Sequence, residues 1–264
     1  MCATTLQLSR HILATDPNAP VLVMEGVVGG YGRMTILNGL SFSVARATIT
    51  TIIGPNGAGK STAFKAIFGL LNLSAGRIIL EGKDVRGFSP AALIGEGVCY
   101  VPQGRNIFPE LSVQDNLELG GVALGTTKAM RPRVEEALDR FPILRQKARA
   151  QASTLSGGQQ KLLEIARGLI AHPKLMLIDE PSIGLSPLMV KDVFATLQKL
   201  RDQGVSILMV EQNARSALEI SDNGIVLETG RTRLVGTAQS ILNDPRIAKL
   251  FLGAEVDLET PASP

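Results

Sequence analysis

The sequence predicts an α/β protein built on a largely parallel sheet with a helical insertion, and three observations carry that expectation. Late in the chain, strand-type and helix-type runs alternate as "KLMLID", "LMVKDVFATLQKLRDQG" and "VSILMV", the rhythm of β–α–β crossovers. The strand runs are almost continuously apolar, as strands covered on both faces must be. From about residue 104 to 160 no comparable strand pattern occurs, and the segment reads as mostly helical.

Taken in order, residues 1–20 are polar or proline-containing and aperiodic, which predicts a disordered tail. Short apolar runs predict strands at 21–27, 40–45 and 48–53, and helical spacing follows at 60–70. Strands at 77–81 and 97–101 flank a helix at 89–94. Helices at 112–120 and 131–140 fill the insertion. A helix over 157–171 carries apolar residues at 162, 163, 165, 166, 169 and 170, one face of a helix. The remainder reads as strand 174–179, helix 187–202, strand 205–210, helix 213–220, strands 224–228 and 232–236, and helix 237–252. Residues 254–264, "AEVDLETPASP", read as a second tail around one domain spanning 21–253. No internal repeat is visible.

Composition bounds the function classes. The 264 residues are 45% hydrophobic and 19% charged, ordinary for a globular protein. A net charge of +3 without any run of five basic residues describes a solvated surface and argues against nucleic-acid binding. No apolar stretch approaches the roughly 18 residues that span a bilayer, and the first 20 residues lack the clean apolar core of a secretory signal. Two cysteines, Cys2 and Cys99, make neither a disulfide framework nor a metal motif, and Cys99 in "GVCYV" reads as a small buried residue. The chain reads as cytosolic.

Two segments carry phosphate chemistry. In "ITTIIGPNGAGKSTAFKAIFGL" a strand runs into Gly54, Pro55, Asn56, Gly57, Ala58, Gly59, Lys60 and Ser61, followed by Thr62 in a starting helix. That is G-x-x-x-x-G-K-[ST] in the strand–helix context it requires. Its glycines let backbone N–H groups turn inward around a polyphosphate, and the helix N-terminus adds its positive dipole end. Lys60 would neutralise β- and γ-phosphate charge and Ser61 would ligate Mg²⁺. In "KLMLIDEP" four apolar residues carry Asp179 and Glu180 to the carboxyl end of a strand, where ligands sit in open α/β sheets. Asp179 suits Mg²⁺ and Glu180 suits an attacking water. Alone, the pair could be an acidic strand exit; beside a phosphate loop it reads as the second half of a nucleotide phosphate site.

Between them lies "STLSGGQQKLLEIARGLIAHP", where Ser156 is a natural N-cap for a helix opening with Gly157, Gly158 and Gln159. An L-S-G-G-Q segment placed before an Asp-Glu-ended strand resembles the signature of ATP-binding cassette (ABC) ATPases, and the resemblance covers residues 21–252. It implies a mixed sheet core with an N-terminal antiparallel β part and the inserted helical subdomain. It also implies that Tyr31 of "GGYG" stacks on adenine, that Gln103 of "YVPQG" links Mg²⁺ to the helical subdomain, and that "SIGLSP" (182–187) crosses a dimer interface. In this family ATP lies between the phosphate loop of one subunit and the signature of another. A monomer is therefore half of two sites and needs a second cassette, identical or different.

Long coiled coils, zinc cysteines and a second cassette, the marks of the DNA-repair and translation members, are missing from the sequence. The stretches "GRNIFPELSVQDNLELG", "IDEPSIGLSP", "VEQNARSALEISD" and "VLETGR" resemble the second ATPase subunit of branched-chain amino-acid uptake systems. This implies two integral-membrane permease subunits, a periplasmic solute-binding protein upstream, and a peripheral place on the cytoplasmic face of the inner membrane. Urea, amide and aromatic-acid importers have closely similar ATPases, and a non-transport nucleotide clamp stays open beside them. Ile107 and Phe108 either contact a membrane subunit or pack inside the helical part. At Gln212 most family members carry a histidine, whereas this chain's two histidines, His11 and His172, lie elsewhere in sequence. An amide can donate to a phosphate oxygen but cannot carry a proton, so Gln212 is either a neutral γ-phosphate contact or a passive strand exit.

Overall fold

A computed structural model describes residues 19–122, 127–245 and 247, with backbone only for 127–129. The expected tails fall outside these residues except for Ala19 and Pro20. The chain order is β1 (Leu22–Tyr31), β2 (Met34–Val44), β3 (Ile49–Ile53), α1 (Lys60–Ile67), β4 (Leu73–Leu80), β5 (Lys83–Asp84), α2 (Pro90–Gly95) and β6 (Val98–Val101). Then come α3 (Val113–Leu119), α4 (Thr127–Arg140), α5 (Pro142–Gln146), α6 (Gly157–Leu169), β7 (Leu175–Asp179) and α7 (Pro187–Asp202). The chain continues through β8 (Ser206–Val210), α8 (Ala214–Glu219), β9 (Asn223–Glu228), β10 (Arg231–Thr237) and α9 (Ala238–Leu242).

These strands form two sheets. An antiparallel sheet has the order β2-β1-β4-β5, and a mixed sheet has the order β10-β9-β3-β8-β7-β6. Within the second, β9, β3, β8, β7 and β6 pair in parallel and only β10 runs against its neighbour. The continuous apolar runs follow from this. On β7, Leu175 and Leu177 face the antiparallel sheet and α1, whereas Met176 and Ile178 face α6, α7 and the helices of the insertion. Leu208 and Val210 against Ile207 and Met209 repeat the alternation on β8, so neither face can be polar. Burial of both faces supplies the dominant stabilisation.

Several expectations need correction. β1 runs past the expected residue 27 to Tyr31, and β4 begins at Leu73 rather than residue 77. β2 begins at Met34, not residue 40, because it is a long partner of β1 in a hairpin whose exposed positions hide its alternation. β5 and α5 were not expected; a two-residue strand and a helix of five residues are too short for periodicity to register. The helix expected over 237–252 is broken: α9 stops at Leu242, with Asn243 as its C-cap, helical backbone recurs at Pro245 and Ile247, and residues 246 and 248–252 lie outside the described residues. Pro245 lies just beyond, and the residue before a proline is held out of the helical region. Cys99 is only half-buried: it faces a cleft on the edge strand β6, packed against Gly168. Burial of its thiol still pushes the pKa up to about 12.

The start of the insertion is organised by one buried amide. Asn116, on α3, is fully buried, accepts the Phe108 N–H at 2.8 Å and donates to the Phe108 and Ser112 carbonyls, both at 2.9 Å. It thereby fixes the loop between Gln103 and α3. Asn116→Ala leaves these loop groups without partners and should cost about 2–4 kcal/mol. Chemical denaturation of the purified chain measures this, and a loss below about 0.5 kcal/mol would show that the loop does not depend on Asn116.

Candidate functional site

The phosphate loop leaves the carboxyl end of β3 and closes on α1. Its last glycine, Gly59, is the N-cap residue with φ of +100°, and Gly57 has φ of +82°, backbone that side chains with a Cβ avoid. No side chain caps α1, so its first N–H groups and its dipole remain available to an anion. Lys60 Nζ bridges the loop, donating to the carbonyls of Gly54 at 2.8 Å and Pro55 at 3.1 Å. Burial lowers its pKa, opposed by the charges of Glu180 and Asp179.

Those carboxylates arrive from β7. Asp179 points to the α1 side, where the Ser61 hydroxyl donates to Oδ1 at 3.4 Å and the Tyr100 hydroxyl donates to Oδ2 at 3.2 Å. Asp179 is buried, and desolvation holds its pKa above the usual carboxylate value despite these hydrogen bonds and the charge of Lys60. Ser61 Oγ and the Asp179 carboxylate are hard oxygen donors on adjoining elements, and this pair fits Mg²⁺. Glu180 lies one residue past the strand with φ of +47°. Left-handed backbone at a residue with a Cβ costs roughly 1–2 kcal/mol and turns Glu180 out of the strand. Burial and the neighbouring Asp179 charge raise its pKa, and Gln103 Nε2 donates to its Oε2 at 2.8 Å.

Gln103 is tied in turn to α6. Ser156 caps this helix in a capping box: its Oγ accepts the Gln159 N–H at 3.4 Å, and Gln159 Oε1 accepts the Ser156 N–H at 3.2 Å. Further along α6, Lys161 and Glu164 form a buried ion pair at 2.5 Å. Lys161 Nζ donates to the Gly104 carbonyl at 3.0 Å, Glu164 Oε1 accepts the Asn106 N–H at 2.6 Å, and Arg167 donates to the Asn106 carbonyl at 2.6 Å. The helix that begins at Gly157 and the loop after Gln103 are therefore one hydrogen-bonded body. Sequence reasoning missed this network and Tyr100; charged residues on the buried side of an amphipathic helix were the available signal.

Gln212 lines a cleft of about 290 Å³ together with Glu180, Ser182, Ile183, Glu211 and Asn213. It therefore shares a cleft with Glu180. His172 instead contacts Glu136 at 3.0 Å, and His11 lies outside the described residues. Tyr31, 47% exposed, borders a cleft of about 470 Å³, with Lys65 Nζ 5.6 Å from its ring centroid. Ile107 and Phe108 divide: Ile107 packs against the core of the insertion, while Phe108 is 50% exposed beneath the Arg167 guanidinium. Both border a cleft of about 870 Å³ between β6, α3 and α6. Among the described residues no helix is long and apolar enough to cross a membrane.

Comparison with known proteins places this geometry. The model of the ABC transporter family matches residues 37–183. The high-affinity branched-chain amino acid transport ATP-binding protein BraG of Pseudomonas aeruginosa is 36% identical over 233 residues, 88% of this chain and 100% of that protein. The lipopolysaccharide export system ATP-binding protein LptB of Haemophilus influenzae is 30% identical over 241 residues, 90% of this chain and 99% of that protein. Among solved structures, the ADP conformation of MJ1267, an ATP-binding cassette of an ABC transporter, superposes with a TM-score of 0.80 at 30% identity, covering 89% of this chain and 100% of that one.

Burial of Asp179 sets a pH-dependent stability. Its folded pKa lies above the ordinary 3.8, so ionised Asp179 weakens the fold as pH rises through that interval, and the penalty vanishes below it. Without divalent metal, Asp179→Asn should stabilise the chain at neutral pH, and the gain should disappear once the pH falls below the ordinary 3.8. Thermal melts in both ranges test this; a variant less stable than wild type at neutral pH contradicts it.

Proposed function

The chain belongs to the ABC transporter ATP-binding family, and we propose that it is the ATPase subunit of an importer of branched-chain amino acids. As a member it binds ATP, hydrolyses it, and works with membrane permease subunits as a peripheral component. The observation that carries the import reading is its 36% identity, over 88% of this chain and the whole of the relative, to a branched-chain amino acid transport ATP-binding protein. Similarity to a lipopolysaccharide export ATPase at 30% supports export as the second reading.

In the proposed mechanism Lys60, with the N–H groups of Gly57 to Thr62, holds the β- and γ-phosphates, and Tyr31 stacks on adenine. Ser61, Asp179 and Gln103 would hold Mg²⁺, which would supply neutralisation of phosphate charge. Glu180 orients the attacking water and accepts its proton. A raised pKa suits a carboxylate that must take up a proton in turnover. Gln212 donates to a γ-phosphate oxygen. The N-terminus of α6, Ser156 to Gln159, completes the site of a partner cassette, so hydrolysis requires a dimer, identical or mixed. The described residues act as one ATP-binding domain whose part from about 104 to 160 moves with α6. Through Gln103 that movement reaches two permease subunits on the cytoplasmic face of the inner membrane, fed by a periplasmic binding protein.

Cells carrying Lys60→Ala in this chain should lose ATP-driven uptake of leucine, isoleucine and valine by at least about 100-fold. Glu180→Gln should keep ATP binding and lose turnover to a similar extent. Unchanged branched-chain uptake, with loss of another solute's transport, contradicts the substrate assignment. Gln212→Ala should lower turnover in the assembled complex by about tenfold; wild-type turnover would make the residue a passive strand exit.

A further inference from the structure

We infer that Glu211, rather than only its neighbour Gln212, is a positioning residue for hydrolysis, fixing the turn that carries Glu180. The inference rests on the proposed role of Glu180. β8 ends at Val210, directly opposite Asp179 on β7, and the Val210 carbonyl accepts the Glu180 N–H at 2.9 Å. The next residue, Glu211, is 2% exposed. Its Oε1 accepts the Ser182 N–H at 2.8 Å, and its Oε2 accepts the Ser182 hydroxyl at 2.8 Å and the Gln212 N–H at 3.1 Å.

The turn from 180 to 182 is thus stitched to the end of β8 at both ends. Left-handed backbone at Glu180 persists only where surroundings over-determine it, and these bonds supply that constraint. All three groups that reach Glu211 are donors, and all are neutral. Burial, together with the like charge of Glu180, pushes the Glu211 carboxyl up. A carboxylate here costs desolvation that an alkyl side chain would not. What it supplies is acceptor capacity for two donors of one residue and one of its own neighbour. An amide of the same shape cannot do so, because its NH₂ would face a donor. The clamp also sets the start of the 182–187 loop, where Ile183 is 44% exposed before Ser186 caps α7.

The test is ATP hydrolysis by the full-length chain in the complex it copurifies with. Glu211→Gln should lower kcat about 10- to 100-fold, the scale of a displaced reacting group, with KM for ATP within about twofold because the phosphate loop is untouched. Ser182→Ala, which keeps the backbone donor, should give a smaller loss in kcat, and the double variant should lose less than the two losses combined. Wild-type kcat in folded Glu211→Gln overturns the inference. So does a loss that follows a lowered Tm while Ser182→Ala stays silent. Glu180→Gln, run in parallel, separates the two readings. If it turns over normally, the reading of Glu180 fails; if it is inert beside a fully active Glu211→Gln, only the positioning role fails.

Discussion

The site depends on the register between three parallel strands. Ile52 of β3 pairs with Val210 of β8, and Val210 pairs with Asp179 of β7, so the three strands end level with one another. The phosphate loop, the Asp179–Glu180 pair and the Glu211–Gln212 pair are consequently delivered to one edge of one sheet. Because side chains alternate along a strand, a slip of one residue would send Asp179 into the apolar layer beneath α6. The apolar runs that hold this register are buried on both faces, so packing of the core and placement of the carboxylates are the same constraint.

From that edge the structure builds outward through polar contacts. Gln103 reaches Glu180, and the loop behind Gln103 is held by Lys161, Glu164 and Arg167 of α6. A displacement of α6, whose N-terminus carries Ser156 to Gln159, therefore displaces the group that holds Glu180. A buried ion pair is weak evidence for stability on its own, but here both charges also bind the backbone of the Gln103 loop. The cleft of about 870 Å³ beside Phe108 lies against the same loop, so an object pressing there presses on the same body.

The elements with strong apolar periodicity were legible in the sequence. β3, β7 and β8 fall within one residue of expectation, and α7 coincides with it. The phosphate loop was legible because its glycines and its lysine sit at fixed spacing between a strand and a helix. What escaped is what spacing does not encode. The left-handed turn at Glu180 and the reach of Tyr100 to Asp179 depend on contacts across the fold. Gln212 stands out as an amide in place of a family histidine, whereas Glu211 beside it reads only as a carboxylate at the strand exit, with no role assigned by spacing. Its burial follows from strand register rather than from residue type. Likewise the break after Leu242 is set by Pro245, a local signal masked by the apolar residues around it.

We propose that this chain is half of a composite ATP site that drives membrane permeases. Purification of the tagged full-length chain from detergent-solubilised membranes of its own cells, with identification of every stoichiometric partner, tests it most directly. The expected result is two integral-membrane subunits and a second ABC cassette. Recovery of only soluble or nucleic-acid partners would contradict it.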